Sequence, residues 1–329
     1  MTRARDLSND EANNGGATPP FVAGKNKLIN GDFSIWQRGT SFTSAGANFS
    51  ADRMIYTSGG SPSVTRSTFT PGTAPSTGYE GQYFATFTKG NTTGNDMFFT
   101  QRMEDVRAFA GQTVTLSYWA KASQAVTNEP LTRQYFGTSG STDVYTAYTT
   151  HSITTSWARY SVTFVMPSVA GKTIGANSFS EMYFWRYTGT TAITVDIWGV
   201  QLETGSVATP FTPAGGGFPG AELALCQRYY WRDTSFQCSG GVQSAFDNNM
   251  WFSLQNFNPV PMRATPTAAI ESTPYIADFS ANVRTITSVN VVTKYAVGFA
   301  YSSTKLTSNL AYGLNFSDAG RALSFSSEL

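Results

Sequence analysis

Hydrophobic and polar residues alternate with a period of two along several stretches of this 329-residue chain. In three of them, apolar side chains fill every second position, and hydroxyl-bearing, charged or tryptophan side chains fill many of the positions between: residues 114–121, 159–166 and 193–198. Because successive side chains of a β-strand point to opposite faces, this period predicts half-buried antiparallel strands. Loops rich in glycine, serine and threonine separate the strands, at 58–63, 70–78, 89–94 and 137–142. Many short strands with polar loops predict a β-sandwich or jelly roll.

Two segments interrupt this pattern. Residues 1–24 show no periodicity, and we expect an extended or disordered N-terminal arm there. Residues 213–220 (PAGGGFPG) contain three consecutive glycines and two prolines, which cannot continue a strand ladder. We therefore predict a jelly roll over 25–213, a linker over 214–220 and a second, smaller β-domain over 221–329.

The second domain is predicted to open with a short helix. Residues 222–231 carry apolar side chains without a breaker after Pro219, a pattern typical of one amphipathic helix. Strand patterns then return at 250–255, 267–271, 284–295, 296–302, 310–316 and 321–325. The predicted fold class is thus all-β: a sandwich jelly roll, a short helix and a smaller β-domain.

Charge and hydropathy exclude several partners. The 22 basic and 21 acidic residues nearly cancel, so no long-range field gathers nucleic acid, and none is expected to bind. No stretch approaches the roughly 18 apolar residues of a membrane span, and residues 1–16 lack the apolar core of an export leader. We expect synthesis in the cytosol without membrane insertion. Cys226 and Cys238 are expected to be buried or partly buried thiols, with a disulfide as the alternative.

Candidate chemistry is sparse. His151 is the only histidine, and neither a nucleophile signature, nor zinc-ligand spacing, nor a phosphate-binding glycine loop occurs in the sequence. A glycosidase would need only two facing carboxyl groups. The candidates are Glu80, Glu104, Asp105 and Glu181, each of which is also compatible with an ordinary solvated or hydrogen-bonded side chain. We therefore predict a protein that is not an enzyme.

Three segments have unusual sequences: residues 26–39 (NKLINGDFSIWQRG), 196–212 (DIWGVQLETGSVATPFT) and 221–232 (AELALCQRYYWR). Together they resemble a recurring component of tailed-bacteriophage structural proteins, mostly tail fibres or appendages, whose jelly roll is similar to carbohydrate-binding modules. The resemblance covers roughly residues 25–235, and its most specific parts are VQLE and the Gln-Arg-Tyr-Tyr run. Residues 259–267 (PVPMRATPT) also look like the C-terminal part of such proteins.

The resemblance implies a non-enzymatic tail-fibre protein located in the virion. It implies a homo-oligomer, as a trimer, that binds host surface polysaccharide and contacts other virion proteins through the N-terminal arm. The alternatives are a purely structural virion subunit, such as a collar, head-fibre or decoration protein, and a depolymerase that cleaves host capsule. A free bacterial glycan-binding module is a further alternative, against which the missing leader weighs.

Aromatic side chains are the best candidates for contacting a glycan, because sugar rings present flat C–H faces to Trp and Tyr. Strict alternation places Tyr183, Trp185 and Tyr187 on one face of a single strand. Trp119 and Trp198 stand at the positions of their own strands that alternate with the aliphatic ones. These five rings are predicted to form a binding platform, unless they fill the core or a subunit interface.

The resemblance also bears on metal binding. Jelly rolls of the carbohydrate-binding type often hold a structural calcium ion between the first and last strands, where Asp32 and Asp196 would be its ligands. An acidic residue commonly follows the aromatic residue of the opening motif in those modules, but Ser34 stands there in this chain. One hard oxygen ligand is then lost unless Asp32 substitutes for it. No cofactor is required by this interpretation.

Overall fold

The computed structural model describes residues 23–59, 62–90, 96–233, 237–241, 249–253, 260–270, 275–278, 283–292, 296–301, 311–315 and 323–329. The chain divides into two compact units: unit 1 ends at Glu222 and also includes Leu329, and unit 2 comprises Leu223–Glu328. Residues 1–22 of the predicted arm lie outside the described residues. Within the described part of the chain, no helix is both long and apolar enough to cross a membrane.

Unit 1 is a β-sandwich. Its described strands are β1 (Ser41–Phe42), β2 (Gly46–Phe49), β3 (Ile55–Ser58), β4 (Ser63–Thr68), β5 (Tyr83–Lys89), β6 (Met97–Glu104), β7 (Thr113–Ala122), β8 (Val126–Asn128), β9 (Leu131–Tyr135), β10 (Val144–Tyr145), β11 (His151–Ile153), β12 (Ala158–Val165), β13 (Phe179–Tyr187) and β14 (Ile193–Thr204). Sheet I has the order β1-β4-β5-β14-β7-β12, sheet II has the order β10-β9-β13-β6-β3-β2, and β8 pairs with β11. All pairs are antiparallel.

The core lies between sheets I and II, where the alternation predicts it. In β7 the side chains of Val114, Leu116 and Tyr118 are buried in this core, and the side chains between them point to the outer face of sheet I. β12 continues the pattern with Val162 and Phe164. The predicted fold class, a sandwich jelly roll followed by a short helix and further strands, is confirmed.

The three unusual segments meet at one edge of unit 1, in a junction that we call the clasp. The Asn26 side chain donates a hydrogen bond to the Val200 carbonyl (3.0 Å) and accepts one from the Leu202 amide (3.0 Å). The Val200 amide in turn donates to the Gly31 carbonyl (2.9 Å). The clasp is completed by Glu222, whose carboxylate accepts from the Asn30 amide at 2.5 Å. These side chains are therefore structural, because they tie the start of the sandwich to its last strand.

The segment predicted as a linker is only partly free of contacts. Residues 213–216 are buried in unit 1, where the Ala214 carbonyl accepts from the Gly24 amide and the Gly215 amide donates to Glu222. Phe218, Pro219 and Gly220 are exposed. Residues 214–216 therefore contact other parts of unit 1, and the linker and the domain boundaries stay predictions.

The predicted helix forms but is shorter. Helix α1 spans Pro219–Gln227, and the Tyr229 amide then donates to the Cys226 carbonyl in a closing turn. Tyr230 begins a strand that pairs with residues 323–326, so the extension of the helix to residue 231 was wrong. Pairing with a distant strand outweighs the local helical pattern there. Cys226 is buried, as expected, and the side chain of Cys238 lies outside the described residues.

Unit 2 is built from strands. They are β15 (Tyr230–Asp233), β16 (Gln237–Gly241), β17 (Asn249–Ser253), β18 (Thr267–Ile270), β19 (Tyr275–Asp278), β20 (Val283–Val292), β21 (Ala296–Tyr301), β22 (Ala311–Asn315) and β23 (Leu323–Ser326). They form a three-stranded sheet, β15-β23-β18, and a six-stranded sheet, β16-β22-β19-β20-β21-β17. The six strands predicted from the sequence after residue 249 each coincide with one of these, whereas β15, β16 and β19 were not predicted as strands.

The clasp makes the stability of unit 1 depend on pH. Burial raises the pKa of the Glu222 carboxyl from 4.5 to about 7, although its hydrogen bonds with the Asn30 and Gly215 amides oppose the shift. The folded state therefore binds this proton more tightly than the unfolded chain. The resulting stabilisation is complete below pH 4.5 and is lost as the pH rises through about 7.

We expect the Glu222→Gln variant to remove a pH-dependent part of the unfolding free energy on the order of 3 kcal/mol between pH 4.5 and 8. Glutamine has a similar shape but does not titrate, and its NH₂ group replaces one of the two acceptor oxygens, which lowers stability by the same amount at every pH. The measurement is urea denaturation of both proteins across this range, followed by tryptophan fluorescence. Parallel pH profiles for the variant and the wild-type protein would contradict the assignment to Glu222.

Candidate functional site

Three of the predicted platform rings do not share a face. β13 contains a bulge: Tyr183 pairs with Thr100 but Trp185 pairs with Phe99, which leaves Phe184 as an extra residue. The bulge reverses the alternation, so Tyr183 lies on the outer face of sheet II and Trp185 points into the core. Tyr187 is also buried in the core. The prediction that these three residues share one exposed face was therefore wrong.

Trp119 and Trp198 lie on the outer face of sheet I, where their phase places them, but they are not accessible. They form a second apolar cluster with Phe69 and Phe211, and Tyr79 packs against it from the side. The Trp198 ring lies 5.1 Å from that of Phe211 and 5.4 Å from that of Trp119. Loops of unit 1 thus cover both tryptophans, which cannot stack on a sugar in this conformation.

The outer face of sheet II carries a different constellation, centred on the buried carboxylate of Glu181. Its Oε1 accepts hydrogen bonds from Thr100 Oγ1 (3.0 Å) and Arg102 Nε (3.1 Å). Its Oε2 accepts from Arg133 Nη1 (3.1 Å) and Tyr183 Oη (3.1 Å). The pairing of β13 with β6 and β9 brings these residues side by side. Glu181 therefore holds two arginines and a tyrosine in fixed positions.

Two solvent-exposed tyrosines border this constellation. Tyr145 in β10 pairs with Arg133 across the edge of sheet II and is 53 % exposed, and Tyr148 is 55 % exposed. The Arg133 guanidinium lies 5.9 Å from the Tyr145 ring, and the Arg186 guanidinium lies 5.3 Å from the Tyr148 ring. Both distances fit cation–π contacts. We refer to Tyr145, Tyr148, Tyr183, Arg133 and Arg186 as the tyrosine–arginine face.

The charges of this face are balanced. Arg133 forms an ion pair with Asp143 (2.7 Å) as well as with Glu181, and Arg186 forms one with Glu129. Burial lowers the pKa of Arg133, but the hydrogen bond with Asp143 and the charge of Glu181 more than offset this, so its pKa is raised. Burial, and then Glu181, raise the pKa of Tyr183, which keeps its hydroxyl protonated. The face therefore combines aromatic rings and hydrogen-bonding groups without a strong net charge.

Sequence reasoning found Tyr183 but missed the other four residues of the face. β10 is two residues long, too short to show alternation. The available signal was the pair of tyrosines three residues apart in a threonine-rich segment, Val144 to Thr150 (VYTAYTT), whose only other apolar residues are Val144 and Ala147. Arg133 and Arg186 carry no signal of their own, because their positions become meaningful only when β9 and β13 pair.

The predicted calcium ligands do not form a shared site. Asp32 accepts hydrogen bonds from Ser34 and from the Tyr79 hydroxyl (2.5 Å). Asp196 forms an ion pair with Lys121 (3.2 Å) and accepts from Thr86 (2.7 Å). Across the described residues, no group of three or more His, Cys, Asp or Glu side chains could hold a metal ion. Asp32 and Asp196 thus bind different protein partners, and calcium at these residues stays a prediction.

The candidate catalytic residues are occupied or dispersed. His151 Nδ1 lies 2.7 Å from the Tyr118 hydroxyl and its ring stacks on Tyr160, so it belongs to a structural network. Burial lowers the pKa of His151. Asp105 forms an exposed ion pair with Arg107, and Glu80 caps the Gly72 amide. Both oxygens of Glu181 are engaged by donors, as described above.

Comparison with known proteins gives fold likeness only. No family profile matches the chain, and no curated protein matches it in sequence. A xylan-binding domain from Paenibacillus barcinonensis is 14 % identical over 56 % of this chain and 98 % of that one, with a TM-score of 0.34. A family 11 carbohydrate-binding module from Clostridium thermocellum, in complex with a mixed-linked tetrasaccharide, is 11 % identical over 51 % of this chain and all (100 %) of that one, with a TM-score of 0.33.

A tailspike domain of bacteriophage CBA120 is 14 % identical over 55 % of this chain, with a TM-score of 0.32. This chain spans 21 % of that domain's length. Such scores indicate a remote likeness.

Proposed function

We propose that unit 1 is a non-catalytic module that binds host surface polysaccharide on its tyrosine–arginine face, as part of a bacteriophage tail fibre. The observation that carries this proposal is the buried Glu181, which fixes Arg133 and Tyr183 between two exposed tyrosines. Burial of the Glu181 carboxylate costs desolvation energy, which its four hydrogen-bond donors offset. The same hydrogen bonds hold the surrounding side chains in position before a ligand binds.

The chemistry of the face suits a sugar chain. The exposed rings of Tyr145 and Tyr148 offer apolar surfaces for the C–H faces of pyranose rings. The Arg133–Asp143 and Arg186–Glu129 pairs offer donors and acceptors together, which matches hydroxyl groups that donate and accept. Because these groups are held in place before binding, little side-chain entropy is lost when a ligand arrives.

The state of two buried carboxylates supports binding without cleavage. Glycoside hydrolysis requires two accessible carboxyl groups on either side of the bond, with separations of about 5 to 9.5 Å. Glu181 is saturated by donors, and Glu222, whose raised pKa would suit an acid, is buried under the backbone of the clasp. Neither can approach a glycosidic oxygen.

The tail-fibre part of the proposal rests on the resemblance of the clasp segments to phage appendage proteins. As in such fibres, we propose a homotrimer in the virion, attached to other virion proteins by its N-terminal arm. A rival is a purely structural virion subunit. The tyrosine–arginine composition of the face favours this rival too, because Tyr and Arg also dominate protein–protein hot spots.

The test is an array of bacterial capsular polysaccharides and lipopolysaccharide O-chains probed with the full-length protein. We expect binding to a subset of glycans without release of reducing ends. The double variant Tyr145→Ala/Tyr148→Ala is expected to lose at least tenfold in affinity. The matched control is Tyr83→Ala, which removes a tyrosine stacked by Arg66 (4.3 Å) on the opposite sheet and should bind normally.

Each other outcome decides against the proposal. Binding to none of the glycans would favour the structural rival, and sustained release of oligosaccharide would favour the depolymerase. Binding that survives the double variant would remove the tyrosine–arginine face as the site.

A further inference from the structure

A separate cleft opens on the outer face of sheet I, opposite the tyrosine–arginine face. It has a volume of about 340 Å³ and is lined by Lys121, Ala122, Ser123, Thr155, Thr194 and Asp196. This volume is at the lower end of small-molecule sites, roughly 300–1,000 Å³. It is large enough for a small ligand but not for a long chain. We call it the lysine–aspartate cleft.

The polar side chains of the cleft form hydrogen bonds and an ion pair with each other and with neighbouring threonines. Asp196 Oδ2 pairs with Lys121 Nζ at 3.2 Å, and its Oδ1 accepts from Thr86 Oγ1 at 2.7 Å. Thr194 Oγ1 lies 3.0 Å from Thr88 Oγ1. A carboxylate has about four acceptor positions and an ammonium group three donors, so Asp196 and Lys121 can each bind a further partner.

An aromatic ring stands beside these polar side chains. Lys121 Nζ lies 5.4 Å from the centre of the Trp157 ring. Trp157 is held by edge contact with Phe84 (5.5 Å, 90°) and by packing on Phe69 (5.6 Å). Its remaining surface is half-exposed, unlike Trp119 and Trp198. An apolar wall thus adjoins donors and acceptors.

We propose that the lysine–aspartate cleft binds one uncharged sugar ring, through two adjacent hydroxyl groups that bridge Asp196 and Lys121. Asp196 and Lys121 neutralise each other, so an ion of either sign would be attracted by one of them and repelled by the other. Vicinal hydroxyls can instead donate to Asp196 and accept from Lys121. This inference does not rest on the proposed function, since the two sites lie on opposite sheets.

The test is saturation-transfer-difference NMR of the full-length protein with methyl glycosides of glucose, galactose, mannose and N-acetylglucosamine. We expect saturation of at least one of them, with a dissociation constant in the millimolar range. Asp196→Asn should weaken binding at least tenfold. Thr155→Tyr fills the mouth of the cleft from an exposed position and should abolish binding without altering the sheet.

The matched control is Asp105→Asn, which breaks an exposed ion pair with Arg107 outside the cleft and outside the tyrosine–arginine face, and which should leave the saturation unchanged. No saturation from any of the four glycosides, or saturation that persists in both cleft variants, would overturn the inference. Binding of a polysaccharide on the array with none of these glycosides bound would overturn the cleft proposal alone and leave the proposed function intact.

Discussion

Replacement of Gly31 by alanine is expected to destabilise unit 1 strongly. A Cβ atom at this position would lie 2.0 Å from the carbonyl oxygen of Val200, far inside van der Waals contact. The carbonyl cannot move away without loss of its hydrogen bond from the Asn26 side chain, and the Val200 amide is bonded to Gly31 itself. Because the clasp joins the first and last parts of the sandwich, relief of the clash would break it.

We expect a cost above about 4 kcal/mol, a large part of the 5–15 kcal/mol that holds a typical domain together. The measurement is thermal and urea unfolding of the Gly31→Ala variant. Gly220→Ala is the matched control, since nothing lies within 4 Å of its Cβ position and it stands in helix α1. That control should be neutral or slightly stabilising. Equal melting of Gly31→Ala and the wild-type protein would refute the close approach at Val200.

The second large effect is expected at Glu181. In the Glu181→Gln variant one acceptor oxygen becomes an NH₂ group that must face either Arg102 or Arg133, and both are cations. Loss of one partner from a buried ion pair costs about 3–5 kcal/mol. We expect destabilisation of this size, together with at least a tenfold loss of affinity for a glycan selected on the array, because Arg133 and Tyr183 lose their support.

The Tyr183→Phe variant distinguishes the hydrogen bond that Tyr183 donates to Glu181 from the contact of its ring with the glycan. It removes the hydroxyl that donates to Glu181 but keeps the ring, so it should cost about 1 kcal/mol of stability and leave glycan affinity within a few-fold. Equilibrium unfolding and titration calorimetry of both variants measure the two effects. Full affinity in a folded Glu181→Gln variant would show that the carboxylate does not organise the face.

Much of the fold was predictable because period-two alternation reports directly which side chains face the core. The strands around Val114 and Val162, and the six strands predicted after residue 249, follow from it. The unusual segments were recognisable as well, but the contacts that explain their sequences appear only in the three-dimensional structure. Asn26 is 174 residues from Val200, and Asn30 is 192 residues from Glu222, yet these residues meet in the clasp.

The site was predictable only in small part, for two physical reasons. One bulge at Phe184 shifts the phase of β13, and a sequence does not show which residue is the extra one. Alternation also identifies the face on which a side chain lies but not what covers that face. Trp198 was assigned to the outer face correctly, yet Phe211 and neighbouring loop residues bury it.

The most direct test of the central claim is an NMR titration of tyrosine-labelled protein with an oligosaccharide selected on the array. We predict that the ring resonances of Tyr145, Tyr148 and Tyr183 shift together and saturate with one dissociation constant, while those of Tyr83 and Tyr160 stay in place. Saturable binding that leaves the first three resonances unshifted would contradict a glycan site on the tyrosine–arginine face.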